Sequence, residues 1–163
     1  MVKVSRRLGG LVGLVAMCIG LGGLPAVANA GQPSVAAAVR AQNRSIKTTA
    51  ALHKLKHIKV TNASSARKVI RPLRTLKRKF DHAATVVSHA SATTSAQRTG
   101  RREWCAGVRR IAHGYAQMIT ALADVEHGHK SAAKQEVLTA VKTVVTGAKS
   151  VLKADRALGV TPS

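Results

Sequence analysis

Three segments of the chain carry apolar residues at alternating spacings of four and three, and this repeat is the strongest constraint on the fold. Such spacing places the apolar side chains on one face of an α-helix. In the first segment, residues 63–90, they are Val69, Leu73, Leu76, Phe80, Ala83, Val87 and Ala90. The second has Trp104, Val108, Ile111, Tyr115, Met118, Leu122 and Val125, and the third has Val137, Val141, Val144, Ala148 and Val151. Each segment is predicted to be a helix with one buried face.

A less regular apolar pattern from Ser34 to Ile58 predicts a fourth helix. One apolar track consists of Val35, Val39 and Ile46, and a second consists of Leu52, Leu55 and Ile58. Four helices with short connections are typical of an antiparallel up-down bundle. The predicted fold class is therefore all-α, a four-helix bundle. Its core must consist mainly of Ala, Val, Leu and Ile, because the chain has one Phe, one Trp and one Tyr.

Glycine and polar residues mark the predicted helix ends. Gly128 follows the second of the three apolar segments and predicts the turn before the last helix. We call the line of apolar residues along each helix its apolar seam. The polar stretch SATTSAQRTG, residues 91–100, predicts a turn that ends at Gly100. One continuous helix is the alternative, because the spacing is kept by Ala90, Thr94, Gln97, Arg101 and Trp104.

Two further features concern the helices themselves. Asn62 or Ser64 is the expected N-cap of the helix over residues 63–90, and Pro72 predicts a kink or the start of its main part. Small residues recur every seven positions at Gly100, Gly107, Gly114, Ala121 and Gly128. They predict a groove along one helix in which a neighbouring helix can pack closely.

The first thirty residues have the organisation of a secretory signal peptide. They combine a basic start, an apolar run from Leu11 to Leu24, and small residues at Ala28 and Ala30. The apolar run is short and rich in glycine, which disfavours a membrane anchor. We therefore predict a signal peptide over residues 1–30 and a single exported domain over residues 31–163. The choice between the general and the twin-arginine export pathways stays open.

The stretch EWCAGVRRIAHGY, Glu103–Tyr115, contains a cysteine and a histidine and raises the question of a catalytic pair. On one helix, Cys105 and His113 would be about 12 Å apart along the axis and about 80° apart around it. A catalytic thiol needs its base within about 3 Å. We therefore expect a core segment, with Trp104 buried and Cys105 at the flank of the core, and we identify no catalytic residue. A disulfide between two copies of the chain through Cys105 stays open.

The histidines and carboxylates predict neither a metal site nor a cofactor. His53 and His57 are four residues apart, but Lys54 and its neighbouring lysines repel a cation. Other histidines lack enough nearby ligands. The six carboxylates are scattered along the chain, and no pair has the spacing of a general acid and base.

Charge is the one functional signal that stands out. From Arg40 to Lys79 the chain has thirteen Lys and Arg and no Asp or Glu. The arginines at positions 67, 71, 74 and 78 lie about 200° from the apolar seam of their helix. Solvated helix faces usually mix charges of both signs, so this distribution indicates a polyanionic partner. The predicted binding residues are Arg67, Arg71, Arg74, Arg78, Arg40, Arg44, Lys47, Lys54, Lys77 and Lys79.

The predicted function is that of a non-enzymatic, exported, cationic bundle that binds anionic envelope or extracellular polymers. The candidate partners are teichoic acid, acidic polysaccharide, anionic lipid and nucleic acid bound without sequence preference, because no aromatic residues interleave the basic run. The alternative is a secreted interaction or structural module that pairs with itself or with a partner through the small-residue groove or through a leftover apolar seam. A third possibility is a metal or small-ligand carrier. The identity of the polyanion and the oligomeric state stay open.

The N-terminus of the exported protein is predicted to be Gly31, because Ala28 and Ala30 provide the small residues that signal peptidase requires. N-terminal sequencing of protein recovered from outside the cytoplasm tests this. A sequence that began at Met1 would contradict export by cleavage, and one that began at Cys18 would indicate a lipid anchor.

Overall fold

The structure, a computed structural model, describes residues 33–51 and 62–160. Four helices are present in this part of the chain: α1 Val35–Lys47, α2 Ala63–Ser88, α3 Ser95–Glu126 and α4 Lys130–Ala157. The described residues contain no β-strand, only an isolated bridge between Ser34 and Ser91. The predicted all-α fold with four helices is confirmed.

Successive helices run antiparallel. The start of α1 lies beside the end of α2, where the Val35 amide donates to the Ser91 carbonyl at 3.1 Å. The start of α2 lies beside the end of α3, where Arg67 meets Glu126. In the hairpin of α3 and α4, Gly100 lies against Leu158 and Gly114 lies against Val144. Helix α3 therefore packs between α2 and α4 over most of its length.

The helix starts confirm one predicted cap and correct one predicted turn. Asn62 caps α2 in a reciprocal pair of hydrogen bonds with Ser65. Thr94 and Gln97 form the same capping box at the start of α3. The turn after α2 therefore ends at Thr94, and both the prediction that it ends at Gly100 and the alternative of one continuous helix are wrong. Gly100 lies inside α3. A glycine is needed there because a Cβ atom would collide with the Leu158 side chain.

Two other helix boundaries differ from prediction. Helix α1 ends at Lys47, and the Thr48 amide and hydroxyl both donate to the Arg44 carbonyl. The second half of the predicted first helix, residues 52–58, lies outside the described residues. Helix α2 already begins at Ala63 and continues through the buried Pro72, so Pro72 does not begin its main part.

The core is built from the three apolar seams. The six seam residues of α2 from Val69 to Val87 are buried, as is Ala90 just after the helix, and so are the seam residues of α3 from Trp104 to Leu122. The Phe80 and Tyr115 rings pack across the interface between α2 and α3 with their centroids 5.5 Å apart. Trp104 is fully buried, as predicted. Since these are the only three aromatic residues of the chain, small aliphatic side chains fill the rest of the core.

Glycines bring the backbones of α3 and α4 into contact. A Cβ atom at Gly147 would lie 2.8 Å from the Gly107 carbonyl oxygen and 2.9 Å from the Ile111 nitrogen. A Cβ atom at Gly114 would lie 2.5 Å from the Val144 side chain. The predicted small-residue groove is thus occupied by α4 of the same chain.

We expect Gly147→Ala to lower the free energy of unfolding by about 1 to 3 kcal/mol, because the new methyl group must push apart two backbones rather than a flexible side chain. The gain of about 1 kcal/mol in helix propensity offsets only part of the steric cost, which is high because backbone atoms cannot move aside as a side chain can. Urea denaturation measures the change, and Thr146→Ala, at the neighbouring exposed position, is the control. A Gly147→Ala protein as stable as the control would contradict the close contact.

Candidate anion-binding groove

Helix α2 has one buried face and one strongly basic face. Its apolar seam, which includes Leu73, Leu76 and Phe80, is buried against the other helices. The rotation of about 100° per residue then directs the intervening arginines outward. As the sequence predicts, the exposed residues of this face include Arg67, Arg71, Arg74 and Arg78.

These four arginines line one concave surface, which we call the arginine groove. Its volume is about 610 Å³, and its described lining residues are Arg67, Ile70, Arg71, Arg74, Thr75, Arg78 and Glu126. All but Glu126 belong to α2, and Glu126 is the last residue of α3. The structure therefore gathers the four arginines of the predicted stripe into a single depression.

Most of the positive charge in the arginine groove is uncompensated. Arg67 Nε donates to Glu126 Oε1 at 2.6 Å, at the end of the groove where α2 begins. Arg71, Arg74 and Arg78 form no ion pair with any side chain in the described part of the protein. Guanidinium groups stay protonated at every physiological pH. Four cations thus share the groove with one carboxylate among the described residues, and three of them are unpaired.

The other predicted binding residues do not line the groove. Lys77 pairs with Asp81 at 2.7 Å on its own helix, and Lys79 Nζ lies 3.3 Å from Ser45 Oγ. Arg40 donates to the Gly159 carbonyl at 3.0 Å and thereby connects α1 to the end of α4. Arg44 and Lys47 are exposed on α1, and Lys54 lies outside the described residues. The predicted site therefore divides into the groove arginines and a scattered remainder.

A second basic surface, on α3, was not included in the predicted site. Arg98, Arg102, Arg109 and Arg110 are exposed along this helix. The nearby Glu103 carboxylate is 3.9 Å from Lys153 of α4. None of these arginines is among the described residues that line the arginine groove.

Cys105 is buried between α2 and α3 rather than at the flank of the core. Its Sγ lies 3.5 Å from the Ala84 carbonyl oxygen, to which the thiol can donate. Burial raises the pKa of the Cys105 thiol, and the positive charges of Arg109 and Arg101 oppose that rise. His113 is exposed on the same helix. The thiol therefore stays protonated near neutral pH, and a disulfide to a second copy of the chain would require the core to open.

A buried polar cluster that the sequence analysis missed connects α1, α3 and α4. Asp155 is fully buried, and both of its carboxylate oxygens lie 3.4 Å from Asn43 Nδ2. Burial raises the pKa of Asp155 to about 6, and interactions with Asn43 and the Trp104 indole partly oppose the rise. The Trp104 indole nitrogen lies near this carboxylate but forms no hydrogen bond of standard geometry in the described structure.

The sequence does contain a signal for this cluster. Asp155 follows Val151 by four residues and so occupies the next position of the apolar seam of α4. A carboxylic acid at a seam position must be buried, and without a cation it is buried most cheaply in its protonated form. The Asn43 amide oxygen has no donor in the described structure. A protonated Asp155 can supply that donor.

Metal, membrane and evolutionary comparisons add no further site. The described residues contain no cluster of three or more His, Cys, Asp or Glu that could hold a metal ion, and His53 and His57 lie outside them. None of the described helices combines the length and the apolarity needed to cross a bilayer. Comparisons with known protein families, with curated proteins and with solved structures gave no significant match. The candidate function therefore depends on the groove.

The buried Asp155 predicts an unusual dependence of stability on pH. Because its pKa is raised to about 6 from 3.8, the folded state binds the proton more tightly than the unfolded state. Protonated Asp155 therefore contributes to the free energy of unfolding. This stabilisation is fully present below about pH 4, is lost as the pH rises through about 6, and amounts to about 3 kcal/mol.

Comparison with Asp155→Asn isolates this effect from the other carboxylates. The variant should be more stable than the parent by up to about 3 kcal/mol at pH 8, and the difference should shrink towards pH 4, as measured by urea denaturation. Glu136→Gln, at an exposed position of α4, is the control for loss of a charge on the surface of the bundle. A difference between Asp155→Asn and the parent that does not change with pH would contradict the prediction.

Proposed function

We propose that this protein is an exported, non-enzymatic helical bundle that binds anionic polymers through the arginine groove. The observation that supports this most directly is the convergence of Arg71, Arg74 and Arg78 on one concave surface without an acidic partner in the described structure. Export remains part of the proposal, since it depends on the predicted signal peptide over residues 1–30, which lie outside the described residues.

Electrostatic repulsion within the groove favours an anionic ligand. Like charges three or four residues apart on a helix destabilise it by about 0.2 to 0.5 kcal/mol per pair. An anion that bridges neighbouring guanidinium groups removes this cost and forms charge-assisted hydrogen bonds. The exported domain, which lacks Lys3, Arg6 and Arg7 of the predicted signal peptide, carries a formal charge of +18 and also attracts polyanions at long range.

Binding is expected to be independent of nucleotide sequence if the polymer is a nucleic acid. Base recognition in single strands generally uses aromatic side chains as stacking platforms. The only Trp, Tyr and Phe of this chain are all buried in the core. The groove offers guanidinium groups, which contact phosphates and do not distinguish bases without a specific base-edge geometry.

The alternative of a protein-interaction module has less support. The small-residue groove that would have received a partner is occupied by α4 of the same chain. An interaction module would therefore need another surface of the bundle. The described residues of the arginine groove, in contrast, form a concave surface that no other described helix occupies.

The test compares two variants that lose the same charge at different places. Arg71→Gln/Arg74→Gln/Arg78→Gln removes the unpaired arginines of the groove, and Arg102→Gln/Arg109→Gln/Arg110→Gln removes three exposed arginines of α3. Glutamine keeps the helix propensity nearly unchanged. Affinity for a duplex DNA, used as a reference polyanion, is measured over a range of salt concentrations.

The groove variant should lose affinity and its log–log salt dependence should become shallower by about 2.7, the value for three lost phosphate contacts. The α3 variant should lose less affinity and keep most of the slope. Both should remain helical by circular dichroism. If the two folded variants bind equally, net charge alone attracts the polymer and the proposed groove function is wrong.

A further inference from the structure

Glu126 is the only acidic side chain among the described residues that line the arginine groove. Its carboxylate accepts a hydrogen bond from Arg67 Nε at 2.6 Å, although the two residues are 59 positions apart in the chain. The groove of the free protein therefore already holds one anionic group, at the end where α2 begins and α3 ends.

The position of Glu126 makes this contact easy to displace. Glu126 is the last residue of α3, where the negative end of the helix dipole disfavours a carboxylate. The Arg67 side chain is 68% exposed and that of Glu126 is 25% exposed. Ion pairs with one partner so open to water contribute little to stability. The Glu126 carboxylate thus occupies a position where a ligand anion can bind Arg67, and the ion pair that keeps it there is weak.

The identity of the cations in the groove indicates the class of ligand. Every basic residue among its described lining residues is an arginine, whereas the lysines of α2, Lys68, Lys77 and Lys79, are not among them. An arginine offers a planar fork of donors that matches a phosphate or a carboxylate. The tetrahedral phosphoryl group presents oxygens in several directions and can be shared by arginines of successive turns. A carboxylate presents its two oxygens in one plane.

The spacing of the arginines indicates an extended ligand. Arg71, Arg74 and Arg78 are separated by about 4.5 and 6 Å along the axis of α2. A flexible chain with repeated phosphates can follow this row into the concave surface. A flat bilayer touches only the rim of a depression.

We propose that the arginine groove binds a flexible phosphodiester chain and that Glu126 is a built-in competitor for it, which occupies Arg67 until a phosphate displaces the carboxylate. This proposal rests on the proposed function. In the free protein three arginines are available to the ligand, and the fourth is gained only at the cost of separating Arg67 from Glu126. Glu126 therefore sets the threshold of affinity or ligand concentration at which the groove fills completely.

The experiment measures binding of fluorescein-labelled oligothymidylate, a flexible phosphodiester chain, to the full exported domain by fluorescence anisotropy. Glu126→Gln removes the competitor, and Glu136→Gln is the matched control, since it removes the same charge from an exposed position on α4. Labelled polyglutamate and phosphatidylglycerol vesicles replace the oligonucleotide in two further arms. Circular dichroism checks that each variant is folded.

Glu126→Gln should tighten binding of oligothymidylate by up to about fivefold at low salt, the effect of releasing one exposed ion pair. Its log–log salt dependence should become steeper by about 0.7, the value for one added contact to a single strand. Glu136→Gln should change the affinity less than twofold, and Arg67→Gln combined with Glu126→Gln should abolish the gain. The affinities for polyglutamate and for the vesicles should change less on Glu126→Gln than the affinity for oligothymidylate does.

Two kinds of failure can be told apart. If Glu126→Gln and Glu136→Gln bind oligothymidylate equally, or if polyglutamate or vesicles respond more strongly, the competitor proposal is wrong while the groove function stands. If removal of Arg71, Arg74 and Arg78 affects binding no more than removal of the α3 arginines, the proposed function itself is wrong.

Discussion

The contact between the backbones of α3 and α4 is the constraint on which the rest of the structure depends. Gly107, Gly114 and Gly147 allow the two helices to approach so closely that a single methyl group at any of them would collide with the other helix. A chain with only three aromatic residues cannot fill a wide space between helices. Close approach solves this problem, because backbone atoms supply contacts that large side chains supply elsewhere. Another face of helix α3, which includes Tyr115, then packs against Phe80 of α2.

This arrangement also determines where charge can accumulate. Once α2 is docked on α3 by its apolar seam, Arg71, Arg74 and Arg78 have no acidic partner among the described residues. The one described carboxylate that reaches the groove is that of Glu126, at the end of α3. The groove is thus a consequence of how α2 is rotated in the bundle, and its single acid is a consequence of where α3 stops.

Local patterns were sufficient to predict the helices, and long-range contacts were not predictable. The four–three spacing identified α2, α3 and α4 and the burial of Trp104, because a helix face can be deduced from the sequence of that helix alone. Gly100 was misinterpreted as a helix breaker because its packing against Leu158 joins positions far apart in the chain. The same reason explains why the Arg67–Glu126 and Asn43–Asp155 pairs were missed. The arginine stripe could be predicted on α2, but not the concave surface, which also requires a residue of α3.

The hydrogen bonds between Pro33, Val35 and Ser91 fix residue 33 at one end of the bundle, and the Arg67–Glu126 pair lies at the other end. Residue 33 lies beside the end of α2, whereas Glu126 and Arg67 lie near its beginning, and the 26 residues of this helix span about 39 Å. A label, fusion partner or surface linker attached ahead of Pro33 therefore starts at the end opposite the Arg67–Glu126 pair. A protein immobilised in this way presents that pair to the solution, and one immobilised through the α3–α4 turn hides it.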